Sequence, residues 1–179
     1  MADGAAAANM AEVCPICLTA LDCGAVTTEC AHRFCQDCFT KWSAATAYNR
    51  GQVLYRIAEV MEGRREQFIS EVSDSEGVSS RKAGAHVDAA IDRWVWYAGW
   101  ADKYAQVIGN TNPVAGPFFI FSVPEPTGVV AAVAPQDASI LGLVSVIAPI
   151  IVTGNAVIAM PSSSRPIPAI TLAECLATS

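Results

Sequence analysis

Fourteen consecutive residues without a charge, Ser139-Ile140-Leu141-Gly142-Leu143-Val144-Ser145-Val146-Ile147-Ala148-Pro149-Ile150-Ile151-Val152, constrain this chain more than any other stretch. The run falls short of the ~20 residues that a membrane span needs and has no flanking basic cluster, so it predicts a helix buried between a sheet and an outer layer. Before it, Gly128–Val133 reads as a buried strand, and after it the turn Gly154-Asn155 leads into a strand over Ala156–Ala159. Strand, helix and strand in this order imply a right-handed parallel crossover, the opening unit of a nucleotide-binding α/β sheet. A helix over Ile167–Ala177 follows. The dinucleotide fingerprint G-x-G-x-x-G is absent.

Upstream the pattern is helical. Val53, Ile57, Val60, Met61, Phe68 and Val72 recur at three-to-four-residue steps with Glu62, Arg64, Arg65 and Glu66 opposite, and Ser73–Gly77 ends the segment. A second helix is expected over Val87–Ile108, with Trp94, Tyr97, Ala98, Ala101 and Tyr104 on one stripe that reads as core. Phe118–Val123 reads as a strand bounded by prolines. The small-residue stretch Ser43–Ala47 marks the seam with what precedes it.

That preceding part holds six of the seven cysteines. Cys14 and Cys17 form one pair, Cys35 and Cys38 another, with Cys30 and His32 between them, which spells C-x2-C-x12-C-x-H-x2-C-x2-C. A two-residue gap lets both thiolates of a pair reach one tetrahedral Zn²⁺, so zinc is the expected cofactor of this segment. Met1-Ala2-Asp3-Gly4 opens an alanine-rich start with no secretory pattern, and a reducing, intracellular and cytoplasmic setting favours metal over disulfide. Cys23 and Cys175 lack partners at ligand spacing and read as buried or spare thiols.

The ligand order resembles the first six positions of a RING finger. By that resemblance Cys14, Cys17, Cys35 and Cys38 would hold a first zinc, and Cys30 and His32 would begin a second whose remaining Cys-x2-Cys pair does not follow. RING domains act as ubiquitin ligases by docking a ubiquitin-conjugating enzyme, and Ile16 and Trp42 match positions of that docking groove. The resemblance therefore implies an E3-ligase-like interaction protein with a protein partner.

A second resemblance covers residues 51–179. Pro126-Thr127-Gly128-Val129-Val130-Ala131-Ala132-Val133-Ala134-Pro135, Pro149, Gly154-Asn155-Ala156-Val157, Pro161-Ser162 and Pro166 through Ala173-Glu174 look like the N-terminal part of the aldehyde dehydrogenase superfamily. So do Val53–Glu59 and Tyr97-Ala98-Gly99-Trp100-Ala101-Asp102-Lys103, in the helices ahead of that family's cofactor domain. The resemblance implies a Rossmann-like cofactor domain and NAD. In the family the catalytic cysteine, the general-base glutamate and the glycine-rich phosphate turn lie further along than Ser179, which implies a truncated, inactive domain. The family's Pro-Trp-Asn, whose asparagine donates to the reaction's oxyanion, is here Pro135-Gln136-Asp137, and an ionised Asp137 would repel that oxyanion. Met160 stands where the family has a lysine for the adenosine ribose, and Ser163 where it has a glutamate.

The sequence thus predicts a mosaic: a disordered alanine-rich tail over 1–12, a partial RING-like zinc finger over 13–44, and a truncated aldehyde-dehydrogenase-like domain over 45–179. Zinc binding is its leading activity, and an aldehyde oxidoreductase completed in trans is the alternative. A parallel sheet of two or three strands leaves an unpaired edge, so a chain completing the sheet is a second expected partner. A net charge of −6 is wrong for nucleic acid, and Cys175, beside Leu172 and Leu176 on an apolar helix face, reads as structural rather than nucleophilic. Elemental analysis of the intact chain checks the zinc reading: one zinc per chain is expected, lost in Cys35→Ser.

Overall fold

The computed structural model describes the backbone of residues 25–27 and 33–179, and side chains from residue 40 onward. The chain divides into two compact units, Met1–Lys41 and Trp42–Ser179. In the first, β1 (Ala25–Thr27) pairs antiparallel with β2 (Arg33–Cys35), Val26 opposite Phe34. Helix α1 (Gln36–Ala44) begins there and runs past the boundary. Cys14, Ile16, Cys17, Cys30 and His32 lie outside the described residues. Cys35 ends β2 and Cys38 lies in the first turn of α1, and of these two only the backbone is described.

The larger unit opens with Trp42, whose indole Nε1 donates to the Ile151 carbonyl at 3.1 Å and packs against the core. The boundary therefore falls just ahead of the small-residue stretch Ser43–Ala47. Helix α2 (Ala47–Gly63) is capped by Thr46, whose hydroxyl accepts from the Asn49 amide. It buries Leu54, Ile57, Ala58 and Met61; of the stripe expected here, Ile57 and Met61 are buried, whereas Val53 and Val60 are only partly buried beside them. The expected single helix over 53–72 is two. Arg64 leaves helical geometry (φ −109°, ψ 17°) next to Gly63, a weak helix former, and α3 (Arg65–Glu76) starts anew until Gly77 closes it at φ 64°.

Helix α4 (Ser80–Trp100) begins seven residues earlier than expected, because Ser79 caps it by accepting from the Lys82 amide. Its stripe Val87, Ala90, Ile91, Trp94 and Ala98 is buried as core. Gly51 of α2 lets the two helices close up, since a Cβ there would stand 3.1 Å from the Ala98 carbonyl and 3.3 Å from Ala101 Cβ. A turn at 101–103 separates α4 from α5 (Tyr104–Ile108), so the expected helix to Ile108 is interrupted there. Of the Phe118–Val123 strand only β4 (Ile120–Phe121) forms, paired antiparallel with β3 (Thr111–Asn112). Phe118, Phe119 and Phe121 are 60–75% exposed, so this segment adds nothing to the core.

The crossover follows the sequence closely. β5 (Val129–Val133) and β6 (Ala156–Met160) run parallel, Val129 opposite Ala156 and Val133 opposite Met160, joined by α6 (Ser139–Val152). After β6 comes α7 (Ile167–Thr178). Ile140, Leu143, Val144, Ile147, Ala148 and Val152 of α6 are buried against Leu172 and Cys175 of α7 and the core faces of α2 to α4. Fully burying each larger aliphatic contributes about 1.5–3 kcal/mol. One expectation is corrected: β5 is not a buried strand. Val129, Ala131 and Val133 alternate as exposed positions, because a pair of strands covered by α6 leaves the other face open.

Helix α6 is fixed at both ends by charges from elsewhere. Ala138 offers no capping side chain, and instead Glu76, the last residue of α3, accepts from the Ser139 amide at 2.8 Å and its hydroxyl at 2.6 Å. His86 Nδ1 stands 3.0 Å from the other Glu76 oxygen, and the carboxylate is 5% exposed. At the C-terminus, buried Arg50 donates from Nε to the Val152 carbonyl at 2.9 Å, and the Thr153 hydroxyl donates to Ile150 at 2.8 Å. Anion at the N-terminus and cation at the C-terminus both suit the helix dipole.

Burial pushes the Glu76 carboxyl up, but the donations from Ser139 and His86 outweigh it and hold it below the usual glutamate range. A depressed folded-state pKa contributes stability that is present above the unfolded value, about 4.3, and is lost as pH falls through the folded one. Glu76→Gln is therefore expected to cost about 2 kcal/mol at neutral pH, with the difference from wild type shrinking below about pH 4. Urea unfolding as a function of pH measures this, and a gap that widens in acid contradicts it.

Candidate cofactor site

In an open α/β sheet ligands sit beyond the carboxyl ends of the strands. Here those ends are Val133 and Met160, and two loops leave them: 134–138 into α6 and 161–166 into α7. The loops are tied together through Gln136. Its Nε2 donates to the Ala134 carbonyl at 3.0 Å, and its Oε1 accepts from the Ser163 amide at 3.1 Å. Its carbonyl accepts from the buried Ser162 hydroxyl at 2.9 Å and from Arg165 Nη1 at 3.3 Å. The Ala134 amide donates to Met160 at 2.9 Å, extending the strand ladder to the loops' base.

The opposite ends of the strands are pinned as firmly. Asn155 is buried, accepts from the Gly128 amide at 2.9 Å, and donates to the Thr153 hydroxyl at 2.8 Å. Gly154 takes φ 88° in that turn, and a Cβ would stand 3.0 Å from Pro126. The strand pair is thus held rigid from Gly128 to Ser163, a suitable platform for a bound ligand.

The structure brings Pro135, Gln136, Asp137, Met160 and Ser163 to this one edge. Asp137 is exposed in the first loop and Met160 is 62% exposed at the end of β6, where a thioether supplies no donor for a ribose hydroxyl. Met160 and Asp137 thus do not fit the roles of the family's lysine and asparagine, whereas the hydroxyls and guanidinium of the second loop suit a phosphate. Sequence reasoning missed Ser162, Ser164 and Arg165, although a Pro-Ser-Ser-Ser-Arg-Pro run directly after a strand is itself a turn signal. Beside this turn, α6 and α7 enclose an apolar cleft of about 280 Å³ whose lining includes Leu143, Pro161, Pro166, Ala169 and Ile170.

The remaining candidates lie elsewhere. Trp42 is half-buried with its indole N–H committed to Ile151. Cys175 is fully buried, 3.8 Å from Arg64 Nη1, and burial pushes its thiol up despite that guanidinium. A raised, enclosed thiol is the wrong state for a nucleophile. His86 is engaged with Glu76, and Ser139 donates to the same carboxylate rather than to the imidazole, so the three do not form an activated hydroxyl. Among the described residues no group of three or more His, Cys, Asp and Glu side chains is placed to hold a metal, and no helix is long and apolar enough to cross a membrane.

Comparison with known proteins agrees with the crossover and its loops. The sequence profile of the aldehyde dehydrogenase family matches residues 10–179, taking in the segment whose spacing resembles a RING finger. The chain is 32% identical over 138 residues to the cytosolic aldehyde dehydrogenase 1 of Elephantulus edwardii, covering 75% of this chain and 26% of that protein. It is 30% identical over 132 residues to the D-glyceraldehyde dehydrogenase (NADP(+)) of Thermoplasma acidophilum, covering 73% and 26%. Among solved structures, betaine aldehyde dehydrogenase from Staphylococcus aureus in complex with NAD+ superimposes with a TM-score of 0.73 at 27% identity, over 79% of this chain and 28% of that one. The chain spans about a quarter of the length of these relatives. These similarities back the dehydrogenase reading and lend none to a RING finger or a ubiquitin ligase. The chain belongs to the aldehyde dehydrogenase family.

Proposed function

We propose that this chain contributes the first crossover of a nicotinamide-dinucleotide site in an aldehyde oxidoreductase. The observation that carries this reading is the convergence of both carboxyl-end loops of a parallel strand pair on Gln136, at the edge where the fold class binds nucleotides. One relative whose name specifies NADP(+), and a solved neighbour holding NAD+, support the same ligand class. The chemistry a bound dinucleotide would supply is acceptance of the hydride that an aldehyde gives up as it is oxidised. The residues of this chain would bind and orient it: the paired loops shape the edge, and the cleft between α6 and α7 offers an apolar wall.

Oxidation by a thiol route further needs an activated cysteine and a general base. Cys175 does not provide the first, so those groups must come from other sequence, in cis or from another chain. The N-terminal cysteine pairs take no part in this reading, and a zinc count tests them separately. Titration of the intact chain with NAD+ and NADP+, followed by tryptophan fluorescence, is expected to show saturable binding by at least one of them. Gln136→Ala, which unties the loops, is expected to weaken it about tenfold. Absence of saturable binding by both overturns the proposal.

A further inference from the structure

Helices α4 and α6 pack together, and both line the seam between them with residues at helical spacing. From α4 come Arg93, Trp96, Tyr97 and Trp100, which share one face of that helix. From α6 and its C-cap come Ser145, Pro149 and Thr153, one turn apart each. The Arg93 guanidinium donates to the Ser145 hydroxyl and so bridges the two helices at one end of the seam. At the other end Trp96, Tyr97, Trp100 and Tyr104 meet Pro149 and Thr153 around a groove of about 190 Å³. A second hollow of about 430 Å³ surrounds Arg93, and its lining again includes Trp96 and Tyr97. The two hollows share those rings and make one track. Between Ser145 and Thr153 the helix rises about 12 Å, which sets the length of the track.

Its walls are aromatic and open to solvent. Trp96 is 56% exposed, meets Tyr97 edge to face with ring centroids 4.9 Å apart, and lies tilted against Trp100 at 5.4 Å. Rings that support one another in this way offer a flat ligand a surface that is ordered beforehand. Charge decides the rest of the ligand. Arg93 is exposed, bonds to a neutral hydroxyl, and forms no ion pair among the described residues. A guanidinium has five donors, so most of the fork is left for a two-pronged contact with a carboxylate. Asp92 also lines the hollow around Arg93, but it lies off the aromatic stripe, about 100° around the helix from Arg93.

We propose that the seam between α4 and α6 is a binding site for an aromatic carboxylate, its ring against Trp96 and Trp100 and its carboxylate on Arg93. Ser145 is a positioning residue that holds the guanidinium at the end of the track. None of these residues belongs to the loops joined by Gln136, so the proposal stands apart from the dinucleotide reading.

The test is equilibrium dialysis of the intact chain against naphthoate, its neutral amide naphthamide and the cation naphthylmethylammonium. Naphthoate is expected to bind saturably and on the order of tenfold more tightly than the other two, with the preference declining as salt is raised. Arg93→Gln is expected to erase the preference, and Arg93→Lys, which keeps the charge without the fork, to retain part of it. Trp96→Ala is expected to weaken naphthoate about tenfold. Asp92→Asn removes a neighbouring negative charge and is expected to tighten naphthoate about twofold, a gain that damage to the fold does not produce. Absence of saturable naphthoate binding, equal binding of acid and amide, or a preference that survives Arg93→Gln overturns the proposal. So does tighter binding of the cation, or weaker naphthoate binding in Asp92→Asn, since either makes Asp92 the anchor.

Discussion

Helix α6 has no charge of its own, yet a buried carboxylate and a buried guanidinium brought from distant elements hold its two ends. The core of the larger unit is arranged around that helix. Its apolar surface is what α2, α3, α4 and α7 cover, and its two ends are where both strands of the parallel pair attach. Glu76 fixes the start of the helix directly after the 134–138 loop, and Arg50 fixes its end directly before the Gly154-Asn155 turn. Because these charges are enclosed, each needs its hydrogen-bond partners, and losing one partner leaves the other group buried and unsatisfied.

A second layer of ties joins the outer helices. Arg64, at the break between α2 and α3, pairs with Glu174 of α7 at 2.8 Å, and Arg65 forms a two-pronged contact with Asp88 of α4 at 2.7 and 2.9 Å. Both arginines are partly exposed, so these pairs set geometry more than they add stability. The break at Arg64 thus serves the packing: it allows one residue to end a helix and reach a helix more than a hundred positions later.

On the site itself, the departures from the family pattern have a consistent structural counterpart. Gln136 stands where the family has tryptophan, and it uses both ends of its amide to join two loops. Ser163 and Arg165 follow where a carboxylate is absent, and Met160 offers no donor. The edge proposed to receive a dinucleotide therefore has a polarity of its own, set by hydroxyls and a guanidinium. The relatives establish the family, and these particular side chains decide what the edge is suited to hold.

The sequence by itself determined the elements whose signal is local. The uncharged run reads as a helix from Ser139 to Val152 because a helix is the economical way to bury a mostly apolar segment of that length, and it is a helix over those residues. The strand on either side, the Gly154-Asn155 turn and the core stripe of α4 follow from the same kind of short-range pattern. The start of α4 lay within reach too, through Ser79. What only the tertiary structure decided is every contact made across long separations: Glu76 with Ser139, 63 positions apart, Arg50 with Val152, 102 apart, and Gln136 with Ser162, 26 apart. It also decided that β5 is half-open and that Phe118–Val123 stays outside the core. Periodicity reports which residues avoid water, but a polar side chain's partner depends on which backbone groups the fold leaves unsatisfied beside it, and that is known only once the elements are packed.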